Sequence, residues 1–206
     1  MAAPYPIPTL GGPTVRLEPL TLGHVNALVD AANEDRSTYT FTRVPRDRTD
    51  TEEYVTGLLE QWRAGDVVPF VQVESSSGRV VGATRFMDLR ALSAGRPPFA
   101  VEIGGTWLAA SVQRTGVNAA AKQALLDYAF SQWGTVRVDF KTDARNERSR
   151  SALARLGATF EGILHQNQPS LVVGEESLFR DSALFCVTSA QWPEIRERLR
   201  ARPVGE

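Results

Sequence analysis

Cysteine and histidine are scarce in this sequence, which contains one cysteine and two histidines among 206 residues. One cysteine cannot form an internal disulfide, and so few ligands give no recognisable zinc cluster. No stretch approaches the roughly 20 apolar residues that a membrane-spanning helix needs. The N-terminus lacks a basic region followed by an apolar stretch, which argues against a secretory signal. We therefore expect a reduced, cytoplasmic protein that binds no metal.

Charge of one sign is not in excess either, because the formal net charge is −1. A nearly neutral chain offers no bulk attraction for nucleic acid or an anionic membrane, so neither is expected as a partner. The hydrophobic share of 42% and the charged share of 23% are ordinary for a globular protein. The nucleotide-binding signatures Gly-x-Gly-x-x-Gly and Gly-Lys-Ser/Thr do not occur, which disfavours an unrelated α/β nucleotide binder.

The distribution of proline and glycine divides the chain into an extended N-terminal arm, residues 1–13, and one domain, residues 14–202. The arm holds four prolines and two glycines, a composition that favours neither helix nor strand. The rest is long enough to fill one core. Its apolar patterns predict strands at 15–19, 69–74, 79–88, 99–108, 136–141, 158–167 and 181–188, and helices at 22–33, 50–64, 117–132, 147–156 and 190–200.

Two of the predicted helices carry capping signals. Asp50, followed by Glu53 three residues later, predicts an N-cap in a variant of the capping box. Gly157 predicts a C-cap. Two early helices, a meander of strands and then alternating helices and strands together predict an α/β (α+β) fold with a mixed sheet.

A short polar loop, Gln113-Arg114-Thr115-Gly116-Val117-Asn118, separates the apolar strand at 99–108 from an amphipathic helix. A glycine just ahead of a helix leaves several backbone N–H groups unpaired and pointing in one direction. Together with the positive end of the helix, these groups form an anion site suited to a phosphate or pyrophosphate. Many helices begin after a glycine-containing turn, so the meaning of the loop depends on the rest of the chain.

Three local motifs follow one another in a fixed order. They are the Gln113–Asn118 loop with its Gly-x-Asn; Asn146-Glu-Arg-Ser149 followed by Leu156-Gly-Ala-Thr-Phe-Glu-Gly162; and Arg180-Asp181 before an apolar strand, then Gln191-Trp-Pro193. This ordered set, which extends from about Val15 to Leu199, resembles the GCN5-related N-acetyltransferase (GNAT) superfamily. Within it, the closest likeness is to the RimJ/RimL-type branch, which acetylates ribosomal-protein N-termini.

The resemblance implies a single domain with a mixed, mostly antiparallel twisted sheet of about seven strands. Helices flank the sheet, which is splayed at the central strand before the pyrophosphate loop. Gly104-Gly105 would permit a bulge at the splay. Acetyl-CoA is the implied cofactor, with its pyrophosphate on the loop and its pantetheine arm between the splayed strands. The residues implied to contact it are Trp107, Leu108, Ala109, Gln113, Arg114, Thr115, Gly116, Val117, Asn118 and Asn146.

Glu102 and Ser149 are the catalytic residues that the resemblance implies. Glu102 lies fourteen residues before Gly116, and a carboxylate in an apolar strand could have a raised pKa and accept a proton from the amine. The alternative is a glutamate that binds a backbone group or an arginine. Many relatives carry a proton-donating tyrosine where this chain has Leu153, and Ser149 is the implied substitute. Its hydroxyl could instead bond to the backbone of its own helix.

The sequence therefore predicts an acetyl-CoA-dependent N-acetyltransferase that moves an acetyl group to a primary amine by direct attack in a ternary complex. The acceptor stays open between an N-terminal peptide and a small molecule, and a homodimer is an open possibility. A loop at 35–48 and a segment at 166–179, where Glu175 and Glu176 could attract a cationic amine, are expected to flank the acceptor cleft. A catalytically silent CoA-binding sensor or assembly module is the alternative. Cys186, in an apolar strand, is predicted to be a buried core thiol.

Overall fold

The computed structural model describes residues 5–93 and 95–201. Residues 1–4 of the predicted arm and residue 202 of the predicted domain lie outside this part. The strands are β1 (Leu10–Gly11), β2 (Val15–Pro19), β3 (Val68–Glu74), β4 (Val80–Arg90), β5 (Ala100–Leu108), β6 (Arg137–Asp143), β7 (Thr159–Pro169) and β8 (Phe179–Thr188). The α-helices are α1 (Val25–Ala32), α2 (Arg48–Ala64), α3 (Val117–Tyr128), α4 (Glu147–Leu156) and α5 (Trp192–Arg200). Within the described ranges, no helix is long and apolar enough to cross a membrane.

All eight strands form one sheet in the order β1-β2-β3-β4-β5-β6-β8-β7. Its pairs are antiparallel except for β5 and β6, which are parallel. This confirms the predicted mixed, mostly antiparallel sheet. The eighth strand is β1, which forms inside the predicted arm because Leu10 and Gly11 pair with Leu17 and Arg16. Only a glycine fits at residue 11, since an added Cβ would lie 2.2 Å from the carbonyl oxygen of Val15.

The predicted strand boundaries agree with the observed ones to within two residues. One capping prediction is wrong: the N-cap of α2 is Asp47, whose side chain accepts from the backbone N–H of Asp50 at 2.9 Å. Asp50 lies in the first turn and pairs with Arg43. Asp47 stands the same three residues before an acidic residue, and the helix begins at this earlier cap because each added residue contributes another helical hydrogen bond.

One face of the sheet packs against α3 and the π-helical turn that follows it. Phe86 on β4 is fully buried, with its ring 6.3 Å from that of Tyr128 and 4.7 Å from that of Trp133. Tyr128 ends α3, and Trp133 ends the π-helical turn that continues it. Burial of one such phenylalanine contributes about 1.5–3 kcal/mol. This packing fixes α3 against the face of the sheet that carries Phe86.

The parallel pair comes apart halfway along its length. β5 and β6 pair only where Ala100–Glu102 lie opposite Arg137–Asp139. Beyond these residues β5 continues to Leu108 and β6 to Asp143 without pairing to each other. This confirms the predicted splay at the central strand.

Candidate functional site

The Gln113–Asn118 loop presents open backbone N–H groups at the start of α3. Gly116 is the N-cap with a φ of 88°, and Arg114 also has a positive φ, 65°. The backbone N–H groups of Arg114 through Asn118 donate to no acceptor within the described residues. A Cβ added at Gly116 would meet nothing within 4 Å, so the space beside the loop is open. The loop therefore has the geometry of the predicted anion site.

A cation that the sequence pattern did not indicate lies one turn into α3. Lys122 Nζ donates to Asn118 Oδ1 at 2.7 Å. Burial lowers the pKa of Lys122 to about 8, because a desolvated ammonium is costly without an opposite charge. A bound anion would favour its charged form. The available signal in the sequence was composition, since Lys122 and Lys141 are the only lysines among 23 basic side chains.

β5 departs from regular pairing with β4 at a bulge. Arg85 lies opposite Gly104 and Ala83 lies opposite Trp107, so β5 has one extra residue in this interval. Gly105 has a φ of 58°, and an added Cβ would lie 2.4 Å from Arg85 Nη1. These positions confirm the bulge that the resemblance implied and that the double glycine permits.

Gln72 on β3 fixes the strand just after the bulge. Its side chain is fully buried and donates to the carbonyl oxygens of Ala83 at 3.1 Å and Trp107 at 3.2 Å. It reaches β5 across Gly82, where an added Cβ would lie 2.1 Å from the Trp107 oxygen. A buried amide bonded in this way holds the Trp107 carbonyl in place. In the sequence, the signal for this role of Gln72 was a polar residue in the middle of an apolar strand.

The predicted cofactor-binding segment Trp107–Ala109 is buried at the end of β5. Two side chains donate to the carbonyl oxygen of Leu108, the Tyr39 hydroxyl and Gln113 Nε2, each at 2.9 Å. The Tyr39 ring also meets the Trp107 ring edge-on at 6.2 Å. The predicted acceptor loop at 35–48 and the anion loop therefore meet at this strand end.

Arg148 on α4 connects three segments that are distant in sequence. Its Nη1 donates to Gln113 Oε1 and its Nη2 to the Thr38 carbonyl oxygen, each at 2.9 Å. Gln113 Nε2 completes the set by donating to Thr38 Oγ1 at 3.1 Å. The start of α4, the anion loop and the 35–48 loop are thereby brought together. As an exposed arginine, Arg148 carries no sequence signal for this role.

Glu102 lies where β5 and β6 stop pairing, opposite Asp139. Its residue is only 4% exposed. Lys141 Nζ lies 2.8 Å from Glu102 Oε2. Burial raises the pKa of Glu102, the ammonium of Lys141 opposes that increase, and the carboxylates of Asp88 and Asp139 add to it. The residue is thus a buried carboxylate beside a lysine, rather than one bound to a backbone group or an arginine.

Asn146 and Ser149 stand together at the first turn of α4. Asn146 is the N-cap, and its Oδ1 accepts from the backbone N–H of Ser149 at 3.0 Å. The hydroxyl of Ser149 forms no hydrogen bond with the described residues, its own helix included. Leu153, where relatives carry the tyrosine, is 3% exposed and belongs to the core. The amide Nδ2 of Asn146 and the hydroxyl of Ser149 therefore stay available to a ligand.

The segment at 166–179 is held against the site by Arg145. This guanidinium pairs with Asp143 at the end of β6, at 2.8 Å, and with Glu175 at 2.9 Å. It also lies over the ring of Phe41, 5.5 Å from the centroid. Because this guanidinium is shared between Asp143 and Glu175, the expectation that Glu175 and Glu176 attract a cationic amine stays a prediction. Glu176 accepts from the backbone N–H of Gly174 at 2.8 Å.

Cys186 is a buried thiol, as predicted. It is 3% exposed, and its Sγ donates to Glu161 Oε1 at 3.2 Å. Burial raises the pKa of Cys186 to about 11, so the unreactive protonated form prevails near neutral pH. In residues 5–93 and 95–201, no group of three or more His, Cys, Asp or Glu side chains is arranged to hold a metal ion.

Comparison with known proteins places this geometry among acetyltransferases. The family model described as "Acetyltransferase (GNAT) domain" matches residues 14–159. No match is found among curated proteins. Solved structures, in contrast, include many similar chains.

Three of these structures cover nearly the whole chain. A GCN5-related N-acetyltransferase from Brucella melitensis is 27% identical with a TM-score of 0.79, over 99% of this chain and 93% of that chain. A protein from T. thermophilus, described provisionally as an acetyltransferase, is 31% identical with a TM-score of 0.80, over 96% and 98%. Mycobacterium smegmatis RimJ in complex with CoA-disulfide is 24% identical with a TM-score of 0.77, over 96% and 94%, and this likeness concerns the fold alone.

Proposed function

This chain belongs to the acetyltransferase (GNAT) domain family and is an N-acetyltransferase, and from this premise we propose that a primary amine takes the acetyl group directly from acetyl-CoA in a ternary complex. The observation that carries the proposal is the splay between β5 and β6, which opens next to the free N–H groups of the Gln113–Asn118 loop. A long cofactor with a pyrophosphate at one end and a thioester at the other fits these two neighbouring features.

The donor half of the site consists mainly of backbone. N–H groups of the loop and the positive end of α3 hold the pyrophosphate, and Lys122 adds charge one turn further on. Backbone groups of Trp107–Ala109 meet the pantetheine arm along the splayed edge. The amide of Asn146 binds this arm from the opposite side of the opening.

The transfer uses Glu102 and Ser149 in distinct roles. The lone pair of the amine nitrogen attacks the carbonyl carbon of the thioester, the carbon–sulfur bond breaks, and its electron pair leaves with the sulfur. Glu102 accepts the proton that the nitrogen loses, and its raised pKa brings its basicity closer to neutral pH. The Ser149 hydroxyl, free of other partners among the described residues, donates to the departing thiolate. No covalent acetyl-enzyme intermediate forms in this mechanism.

The acceptor belongs to one of two classes. The Gly-x-Asn loop and the Ser149 position support assignment to the RimJ/RimL-type branch, which favours the N-terminal amine of a protein. A small primary amine is the second class, because its nitrogen attacks the thioester by the same chemistry. N-terminal peptides and small amines therefore belong in the same screen.

Release of free thiol from acetyl-CoA tests the function directly. We expect thiol release with at least one acceptor from a panel of N-terminal peptides and small primary amines, accompanied by an acetylated product of the expected mass. Tight CoA binding without turnover of any acceptor would instead favour the catalytically silent module. Absence of CoA binding in calorimetry would refute the donor assignment altogether.

A further inference from the structure

The face of the sheet that carries Glu102 is charged around the splay. Strand register places Arg85, Lys141 and Ser182 on this face. Side chains alternate between faces along a strand, so Phe86, which packs against α3, points the other way. The charged face is therefore opposite the one against which α3 packs.

Each carboxylate that the register places on this face already has a basic partner. The pairs are Glu102 with Lys141, Asp143 with Arg145, and Asp139 with both Arg90 and Arg137. Some of these cations are shared, since Arg145 also pairs with Glu175 and Arg137 also pairs with Glu161.

Two guanidinium groups on the same face have no acidic partner within the described residues. Arg85, whose guanidinium lies over Gly105, has a buried Nε that makes no hydrogen bond there. Arg180 donates from Nη2 to Gln168 Oε1 at 2.6 Å, and its Nε is also buried without a partner. Burial lowers the pKa of Arg180, and the charges of Asp143 and Glu102 oppose that decrease.

Buried polar atoms without partners mark the same area. Ser182, two residues from Arg180 on β8, is fully buried, and its hydroxyl bonds to none of the described residues. On the same face, the Nε atoms of Arg85 and Arg180 are buried without a partner among the described residues. Native proteins satisfy nearly all buried polar groups, so several orphaned atoms on one face indicate a ligand that supplies the missing partners.

We propose that the acceptor carries an oxyanion, a carboxylate or a phosphate, close to its amine, and that Arg85 and Arg180 bind it. The inference rests on the proposed function, because it places the amine at Glu102. A guanidinium matches the planar geometry of an oxyanion with paired N–H donors. The phosphates of acetyl-CoA belong to the loop at the start of α3, on the opposite face, and leave these arginines for the acceptor.

Matched acceptor pairs that differ only in the oxyanion test this specificity. The pairs are β-alanine with β-alanine amide, O-phosphoethanolamine with ethanolamine, and the peptide amides Ser-Asp-Ala and Ser-Asn-Ala. The readout is kcat/KM from thiol release at saturating acetyl-CoA. We expect the charged member of at least one pair to be preferred by about tenfold or more, as for hydrogen bonds to a charged group. The pair that shows the preference identifies the source of the oxyanion.

Variants connect the preference to the two arginines. Arg85→Gln and Arg180→Gln should each reduce the charged-to-neutral ratio toward one, with the KM for acetyl-CoA retained. Arg85→Lys and Arg180→Lys should restore part of the ratio. Arg63→Gln, at an exposed position on α2, is the matched control and should leave the ratio unchanged. Circular dichroism and melting curves verify the fold of each variant.

The outcomes separate this inference from the proposed function. Turnover of neutral acceptors without preference for their charged partners would overturn the oxyanion site and leave the acetyltransferase function standing. A preference that survives in both glutamine variants would also overturn it. Failure of every acceptor, neutral and charged, would contradict the proposed function itself.

Discussion

Burial raises the pKa of Glu102 and the ammonium of Lys141 lowers it. The resulting pKa determines how the reaction rate depends on pH. Burial raises the pKa of Glu102, so the ionised form that can accept a proton accumulates only as the pH rises through that raised value. We predict that log kcat increases with pH, with a midpoint above the ordinary glutamate value of about 4.3. Glu102→Gln should remove this limb and lower kcat by about 10²-fold or more, with the KM for acetyl-CoA nearly unchanged.

Lys141 supplies the control for this pH profile. Its ammonium favours the ionised form of Glu102, so Lys141→Met should raise the pKa further and move the limb to higher pH. Lys122→Met removes the other lysine, at the donor side, and should leave the limb where it is. A limb that keeps its position in the Lys141 variant, or persists in Glu102→Gln, would show that another group titrates.

Two helices are flanked by glycines in the same backbone conformation. Comparing alanine variants of these glycines separates an effect on anion binding from an effect on the stability of the fold. Gly116 at the start of α3 and Gly65 at the end of α2 both have a φ of 88°, and an added Cβ would meet nothing within 4 Å at either. Alanine should cost about 1–2 kcal/mol at each position. We predict that Gly116→Ala also weakens CoA binding at least tenfold, because its methyl group stands beside the N–H groups that hold the pyrophosphate.

Calorimetry distinguishes the two effects. Both alanine variants should lose a similar part of their melting temperature, roughly 2–8 °C. Only the Gly116 variant should show a higher Kd for CoA in titration calorimetry. Equal Kd values for both variants and the wild type would contradict the assignment of this loop to the donor.

The sequence predicted those elements whose geometry depends on local chemistry. The cap at Gly157 needs a positive φ, which glycine adopts without strain, so the residue type pointed to it; the bulge at Gly105 was implied by the family resemblance, and the double glycine permits it. The N-cap of α2 was misplaced because Asp47 and Asp50 carry the same local signal. A choice between equal caps depends on how far the helix extends, which the motif does not encode.

Partners across the sheet were not predictable in the same way. Glu102 meets Lys141 only because β5 and β6 lie side by side in parallel, and nothing near either residue in sequence specifies that register. Likewise, Glu175 pairs with Arg145, thirty residues earlier in the chain, and nothing near either residue in sequence specifies that contact. Tertiary pairing thus decides which charged side chains in the site have a partner of opposite charge.

In the whole molecule, the splay divides the sheet into two parts that few backbone contacts connect. Strands β1 to β5 form one part and β6 to β8 the other, and the short Ala100–Glu102 pairing joins them. Arg148 adds a side-chain bridge across the opening to Gln113 and Thr38. A ligand that contacts both parts therefore stabilises the folded state by completing the connection between them.

This division predicts how fragments of CoA act on stability. At a concentration about 100 times its Kd, CoA should add about 2.7 kcal/mol to the free energy of unfolding and raise the melting temperature by roughly 5–11 °C. Adenosine 3′-phosphate 5′-diphosphate engages the loop alone and pantetheine the splay alone, so each should give a smaller shift at the same concentration. Their tethering in CoA should make its shift exceed the sum of the two. A nucleotide shift equal to that of CoA would show that the splayed strands do not hold the pantetheine arm, whereas a pantetheine shift equal to that of CoA would remove the loop from the donor site.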